Sequence, residues 1–187
     1  LDKDLYLANA GELAEVIGDY TVAKDYFEQA LARDLETYGE DHSNVAKDRS
    51  NLGLAWQRLG EYQKAIGYLE QALASDIEIY GENRPTVARD CNNLGRVWQD
   101  FVEYQTAVGY YELAPATIVR DPIVAAIRGH NLRVRDYQKA IGYLKQALAS
   151  NLNFFGEDHP DVVRDLHNLG AVWMKLGRYQ TVISYYE

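Results

Sequence analysis

Asn51, Asn93 and Asn168 each carry a basic residue four positions upstream: Lys47, Arg89 and Arg164. Asn9 stands in the same series with no such companion. Arg58 lies seven positions after Asn51 and Lys175 seven after Asn168, whereas the third copy has Asp100 there. Arg96 sits one helical turn after Asn93. At helical spacing these cations fall near the asparagine face. An amide that both donates and accepts, flanked by guanidinium and ammonium groups, suits the holding of a polar, acidic chain rather than the breaking of a bond. The plainer reading, that these Lys and Arg offset local acids on a solvated face, stands beside it.

The other reactive residue types do not converge. The histidines are His42, His130, His159 and His167. His42 and His159 recur in Glu40-Asp41-His42 and Glu157-Asp158-His159, a position suited to capping the helix that follows. His159 and His167 are two helical turns apart, a poor spacing for a shared metal. Cys91 has Arg49 and Leu166 at its aligned positions and reads as an inert, buried or half-buried thiol. Asp158 and Asp161 read as helix-start charges, not as an acid/base couple. No glycine-rich phosphate loop follows a strand, since no strand is expected. The chain is therefore read as no enzyme, with no catalytic residue, metal or cofactor.

The elements that would position these residues follow from an internal repeat. The segment from Tyr62 to Ser75 recurs as Tyr137 to Ser150 with one difference, Glu70 against Lys145. Its opening tyrosine lies at Tyr20, Tyr62, Tyr104, Tyr137 and Tyr179, in steps of 42, 42, 33 and 42. A fifth asparagine, Asn131, precedes its tyrosine by six positions where the others precede theirs by eleven. Each unit reads as two helices. Val45, Leu52, Trp56 and Leu59 share a face of the first; Ala65, Ile66, Leu69, Ala72 and Leu73 share a face of the second. A Gly60-Glu61 turn separates them, and Gly81 suits the left-handed cap that ends the second helix. Pro85 and Pro160 fit the first turn of the next helix. Stacked pairs bury both faces, so an all-α solenoid is expected, with units at about 2–43, 44–85, 86–121, 122–160 and 161–187. Trp56, Trp98 and Trp173 share one register as inter-helix packing. Pro115 and Pro122 interrupt the pattern, and a kink, short loop or irregular helix is expected around 113–135.

The series Leu52-Gly53, Trp56, Gly60, Tyr62, Ala65, Leu69 and Ala72 resembles the tetratricopeptide repeat. The 42-residue period, and Gly-Glu-Asp-His-Pro-Asp-Val at 156–162 before Asn168-Leu169-Gly170, resemble the long repeats of kinesin light chains and of bacterial regulatory proteins. The resemblance implies a right-handed superhelix of about four and a half antiparallel helix pairs, whose first helices line a concave surface. It also implies that Asn51, Asn93 and Asn168, and Asn9 more weakly, face a bound peptide main chain; the alternative is an amide bonded between adjacent helices. The ligand class implied is a short acidic peptide, its carboxylates met by Lys47, Arg58, Arg89, Arg96, Arg164 and Lys175.

Composition bounds the remaining classes. The chain is 47% hydrophobic with a net charge of −9, which excludes disorder and argues against general nucleic-acid affinity. No apolar run reaches bilayer length, so no membrane partner is expected. One cysteine forms no internal disulfide, and a reducing cytosol is the expected, cytoplasmic compartment. Leu1 is not an initiator methionine, and the chain is expected to be a piece of a longer protein. The function expected is a scaffold that binds an extended acidic peptide. The alternatives are an array that associates end to end with itself, and a regulatory or sensor arm of a larger signalling protein.

Overall fold

A computed structural model describes the backbone of residues 3–113, 122–178 and 180–182, and the side chains of residues 6–105, 134–178 and 180–182. The described elements are helices: α1 (Lys3–Val16), α2 (Tyr20–Tyr38), α3 (Ser43–Arg58), α4 (Tyr62–Tyr80), α5 (Pro85–Leu113), α6 (Pro122–Phe155) and α7 (Pro160–Lys175). Consecutive helices pack against one another, so the chain is a stack of helix pairs. Among the described residues, no helix is long and apolar enough to cross a membrane.

The turn inside a pair depends on glycine. Gly60 has φ of 80°, a conformation that costs any residue with a Cβ. That geometry lets the Glu61 N–H donate to the Trp56 carbonyl at 3.0 Å, closing the end of α3. Gly18 in the first unit and Gly177 in the last, at the equivalent positions, do the same with φ of 82° and 70°. The following helices begin on side-chain caps. The Nδ1 atoms of His42 and His159 accept from the backbone N–H of Asn44 and Asp161, both at 3.2 Å. The recurring histidines are therefore helix caps, and Pro160 fills the first position of α7. Their rings also stack on Tyr38 and Phe155, at centroid distances of 4.2 and 3.8 Å.

The third and fourth units depart from the two-helix expectation. Their residues at the turn-glycine position are Val102 and Arg135. Neither site turns: α5 runs through Val102 to Leu113, and α6 starts at Pro122 and runs through Arg135 to Phe155. The expectation of a break within each of these units is thus corrected. Valine and arginine continue a helix where glycine would end one, and Val102 is buried. Pro122 occupies the first turn of α6, where proline is tolerated. Pro115, with the rest of 114–121, lies outside the described residues, as do residues 183–187 of the final unit.

Fusing those helices changes which parts meet. In the first two units, a glycine on the first helix lies against a large side chain on the second. A Cβ at Gly11 would fall 2.5 Å from Phe27, and one at Gly53 would fall 2.8 Å from Leu69. The third unit's Gly95 makes this approach to Leu144, at 2.6 Å, on the far half of α6. Lys64 sits over the Trp56 ring at 4.2 Å inside the second unit, and Lys139 sits over Trp98 at 4.0 Å in the same way. The second helix of the fourth copy therefore completes the third unit. The stack then resumes with α7: Asn92 reaches Asp165 across the junction where Ser50 reaches Asp90 one unit earlier.

Two clusters form the core. One holds Ala14, Ala23, Phe27, Leu31, Val45, Leu52 and Ala55. The other runs from Ala65 and Leu69 through Leu94, Val97 and Leu144 to Leu169 and Val172. Trp56 packs against both and joins them. Ala23, Ala65 and Ala140 are fully buried at equivalent positions, where a small side chain permits close helix approach.

Candidate functional site

Three successive first helices, α1, α3 and α5, contribute to one pocket. Glu15 comes from the end of α1, Leu54, Gln57 and Arg58 from α3, and Arg96 from α5; Tyr20, at the start of α2, completes the lining. The cavity is about 140 Å3, sized for a side chain rather than a cofactor. Arg58 lies 5.9 Å from the centre of the Tyr20 ring, within cation–π range. Burial raises the Glu15 carboxyl above its ordinary value, against the opposing pull of Arg58. Gln57 Nε2 donates to Asp100 Oδ2 at 2.6 Å, so the acid that breaks the basic series ties α3 to α5.

The cations expected to line the groove fall into two groups. Arg58 and Arg96 share the pocket, and no carboxylate among the described residues comes within ion-pair distance of either. The other four are already engaged. Lys47 pairs with Glu12 at 3.5 Å. Arg89 reaches Asp76 at 3.4 Å and Asp90 at 3.3 Å. Arg164 reaches Asp161 at 2.8 Å and Asp165 at 3.9 Å. Lys175 meets Glu103 at 3.0 Å, a bond that raises the lysine's pKa. Burial pushes Glu103 up, and the hydrogen bonds from Lys175 and Gln99 outweigh it and hold the carboxyl below its usual value.

The asparagines do not form one uniform row. Asn9 is exposed on α1 and Asn93 is buried on α5. Asn51 is half-buried, and its Nδ2 is enclosed without a hydrogen-bond partner. Asn168 donates to Asn92 Oδ1 at 3.1 Å, the inter-helix arrangement that was the alternative to ligand contact.

Sequence reasoning missed Tyr20, Gln57 and Glu15, which join the pocket through the stacking of neighbouring helices. It also missed a set of buried acids. Asp48, Asp90 and Asp165 each stand three residues before Asn51, Asn93 and Asn168, and all three are buried. That recurring Asp-x-x-Asn was legible as a pattern. Cys91 lies among these groups; burial first, then the nearby carboxylates, pushes its thiol up to about 12. It is a packing residue, not a nucleophile.

The comparisons with known proteins follow this geometry. The tetratricopeptide repeat family model matches residues 4–77 and 49–114. No curated protein matches the chain. Among solved structures, BtubC (BKLC) from P. vanneervenii is similar at 24% identity and a TM-score of 0.72, over 97% of this chain and 59% of that one. A kinesin-light-chain-like protein of Podosopora anserina with nearly identical TPR-like repeats is similar at 20% identity and a TM-score of 0.50, over 100% of this chain and 93% of that one. The chain thus spans less than two thirds of the length of the first of these. At such identities the likeness is one of fold.

Proposed function

The chain belongs to the tetratricopeptide repeat family, and on that premise we propose that it binds an extended, acidic peptide segment of a partner protein along its first-helix face. Repeats of this family mediate protein–protein interaction and are typically scaffolds without catalysis. One observation carries the finer reading. Arg58 and Arg96 converge on one pocket from adjacent first helices with no carboxylate paired to them, in a chain of net charge −9. An acidic side chain or a C-terminal carboxylate supplies the close ion-pair partner neither has, since Glu15 in the same pocket attracts Arg58 only at longer range, and arginine takes it bidentately. Asn51 lies two turns before Arg58 on α3 and is half-buried, so the part of its side chain left exposed is the one open to a main-chain contact. Lys47, Arg89, Arg164, Lys175, Asn93 and Asn168 add to the face's polarity, with their present partners to be displaced first.

Fluorescence anisotropy with acidic, basic and neutral peptides tests this reading. Acidic peptides are expected to bind preferentially, and more weakly as salt rises. Arg58→Glu and Arg96→Glu are each expected to weaken binding about tenfold or more, the worth of a charge-assisted contact. Lys47→Glu, outside the pocket and at a lysine already paired with Glu12, is expected to weaken it less. Unaltered acidic-peptide binding in both arginine variants would overturn the proposal.

Self-association is a second reading, and α1 favours it. Tyr6, Leu13 and Val16 are exposed there, as is Ile17 just after it, whereas Ala55, Val97 and Val172, at the position of Leu13 in other units, are fully buried. Mass that rises with concentration in light scattering, and is lost in Leu13→Glu, would support it.

A further inference from the structure

At successive junctions of the stack, a second helix meets the next first helix through a pair of buried carboxyl or carboxamide side chains. At the α6–α7 junction, Asn151 Nδ2 donates to Asp165 Oδ2 at 2.8 Å. At the equivalent α4–α5 junction the residues are Asp76 and Asp90, 2% and 0% exposed. Asp34 and Asp48 hold the same positions between α2 and α3 and are likewise buried.

The amide of Asn151 carries its donor proton permanently. Two carboxyls in that place have none unless one is protonated. Asp90 Oδ1 accepts from Ser50 Oγ at 3.3 Å and from Arg89 at 3.3 Å, but Asp90 Oδ2 is enclosed with no donor. A proton held between Asp90 and Asp76 satisfies that oxygen and removes the repulsion of two adjacent buried charges. We propose that Asp76 and Asp90 share one proton, and that this makes the α4–α5 junction a pH-sensitive joint, more so than the amide-bearing α6–α7 junction.

The surroundings favour the proton. Arg89, on the same helix as Asp90, is the one cation among the described residues that pairs with both, and it is half exposed. From α3 the group facing Asp90 is the neutral Ser50 hydroxyl. The neighbouring Cys91 thiol stays neutral, and beyond it lies Asp165 of α7, which adds negative potential rather than relief. Burial raises both carboxyls and takes Asp90 to about 7, against the opposing pull of Arg89.

The sign follows from linkage. Asp90 is raised in the folded chain and ordinary, about 3.9, when unfolded. Its protonated form therefore favours the closed joint at low pH. That advantage is lost as pH rises toward about 7 and changes no further above it.

Amide hydrogen exchange between pH 5 and 8.5, corrected for intrinsic rates, reads this directly. In the wild type, the opening equilibrium of amides at the α4–α5 junction is expected to increase up to tenfold per pH unit from 5 to 7, then level off. Amides at the α6–α7 junction, where Asn151 supplies a permanent donor to Asp165, serve as the internal reference with a shallower slope. Asp76→Asn and Asp90→Asn are each expected to flatten the wild-type slope, since the first reproduces the amide–carboxylate pair of Asn151 and Asp165 and the second gives the same pair reversed. Wild-type protection at the α4–α5 junction that is equal at pH 5 and 7 would overturn the proposal, and this needs no variant to fold. So would a slope retained in both amide variants. Slower exchange on adding calcium at pH 8, absent from Asp76→Asn, would make the pair a cation site instead and also overturn it.

Discussion

Truncating Leu144 to alanine is expected to destabilise the stack by about 2–5 kcal/mol, the range for a fully buried leucine. The side chain is 1% exposed, and its Cγ lies where a methyl on Gly95 would stand. Gly95→Ala alone must displace Leu144, at a cost of about 1–3 kcal/mol against a gain of up to about 1 kcal/mol in helix propensity. Together the two changes should be less damaging than their sum, because the new methyl enters the space that leucine leaves. A double-mutant cycle read from urea midpoints checks this. The coupling matters more than either single loss: it arises only if α6 completes the unit that α5 begins. Strict additivity would place the fourth copy's second helix elsewhere.

Replacing Asn92 by alanine is expected to cost about 2–3 kcal/mol near neutral pH. Its Nδ2 donates to Asp165 Oδ1 at 2.6 Å and to the Ala88 carbonyl at 3.3 Å, while its Oδ1 accepts from Asn168. Asp165 is fully buried, and burial raises its carboxyl against the lowering effects of Asn92 and Asn151. Without Asn92 the carboxyl rises further. A carboxyl raised in the folded chain favours folding at low pH and loses that contribution as pH increases. The deficit of the variant should therefore be smaller at pH 5 than at pH 8, and urea unfolding at both values measures the difference. An equal deficit at both would mean that Asp165 keeps one protonation state across that range.

Most of the fold was legible because the repeat states it several times over. Gly18, Gly60 and Gly177 mark turns by residue type, and His42 and His159 mark helix starts by recurrence. The fused helices were harder to see. The conspicuous signals, Pro115 and Pro122, drew the expected irregularity to 113–135, whereas the deciding changes were Val102 and Arg135. Losing a glycine is a quieter mark than gaining a proline, yet it removes the one residue that adopts positive φ cheaply. The site was legible in part. Arg58 and Arg96 emerged from spacing, but their convergence with Tyr20 and Glu15 depends on how α1, α2, α3 and α5 stack. The asparagine series shows the same limit. Neighbouring positions on a helix differ by about 100°, so Asn92 and Asn93 face different surroundings, and spacing alone does not say which amide serves the interior.

Completion of the third unit by α6 also sets an order of assembly. The side-chain bond from Ser50 to Asp90 spans 40 residues, and its counterpart from Asn92 to Asp165 spans 73. At equilibrium the longer closure is nearly free, about 0.5 kcal/mol, since the entropy grows only with the logarithm of length. During synthesis it is not free in time. The first two units can close as they leave the ribosome, but the apolar face of α5, with Leu94, Val97 and Trp98, must await the far half of α6. At about 5–20 residues per second, that is a delay of a few seconds. In that interval the nascent chain ends in an open hydrophobic surface on a finished template, which is where a chaperone, or a misplaced copy of the near-identical second helix, would compete with α6.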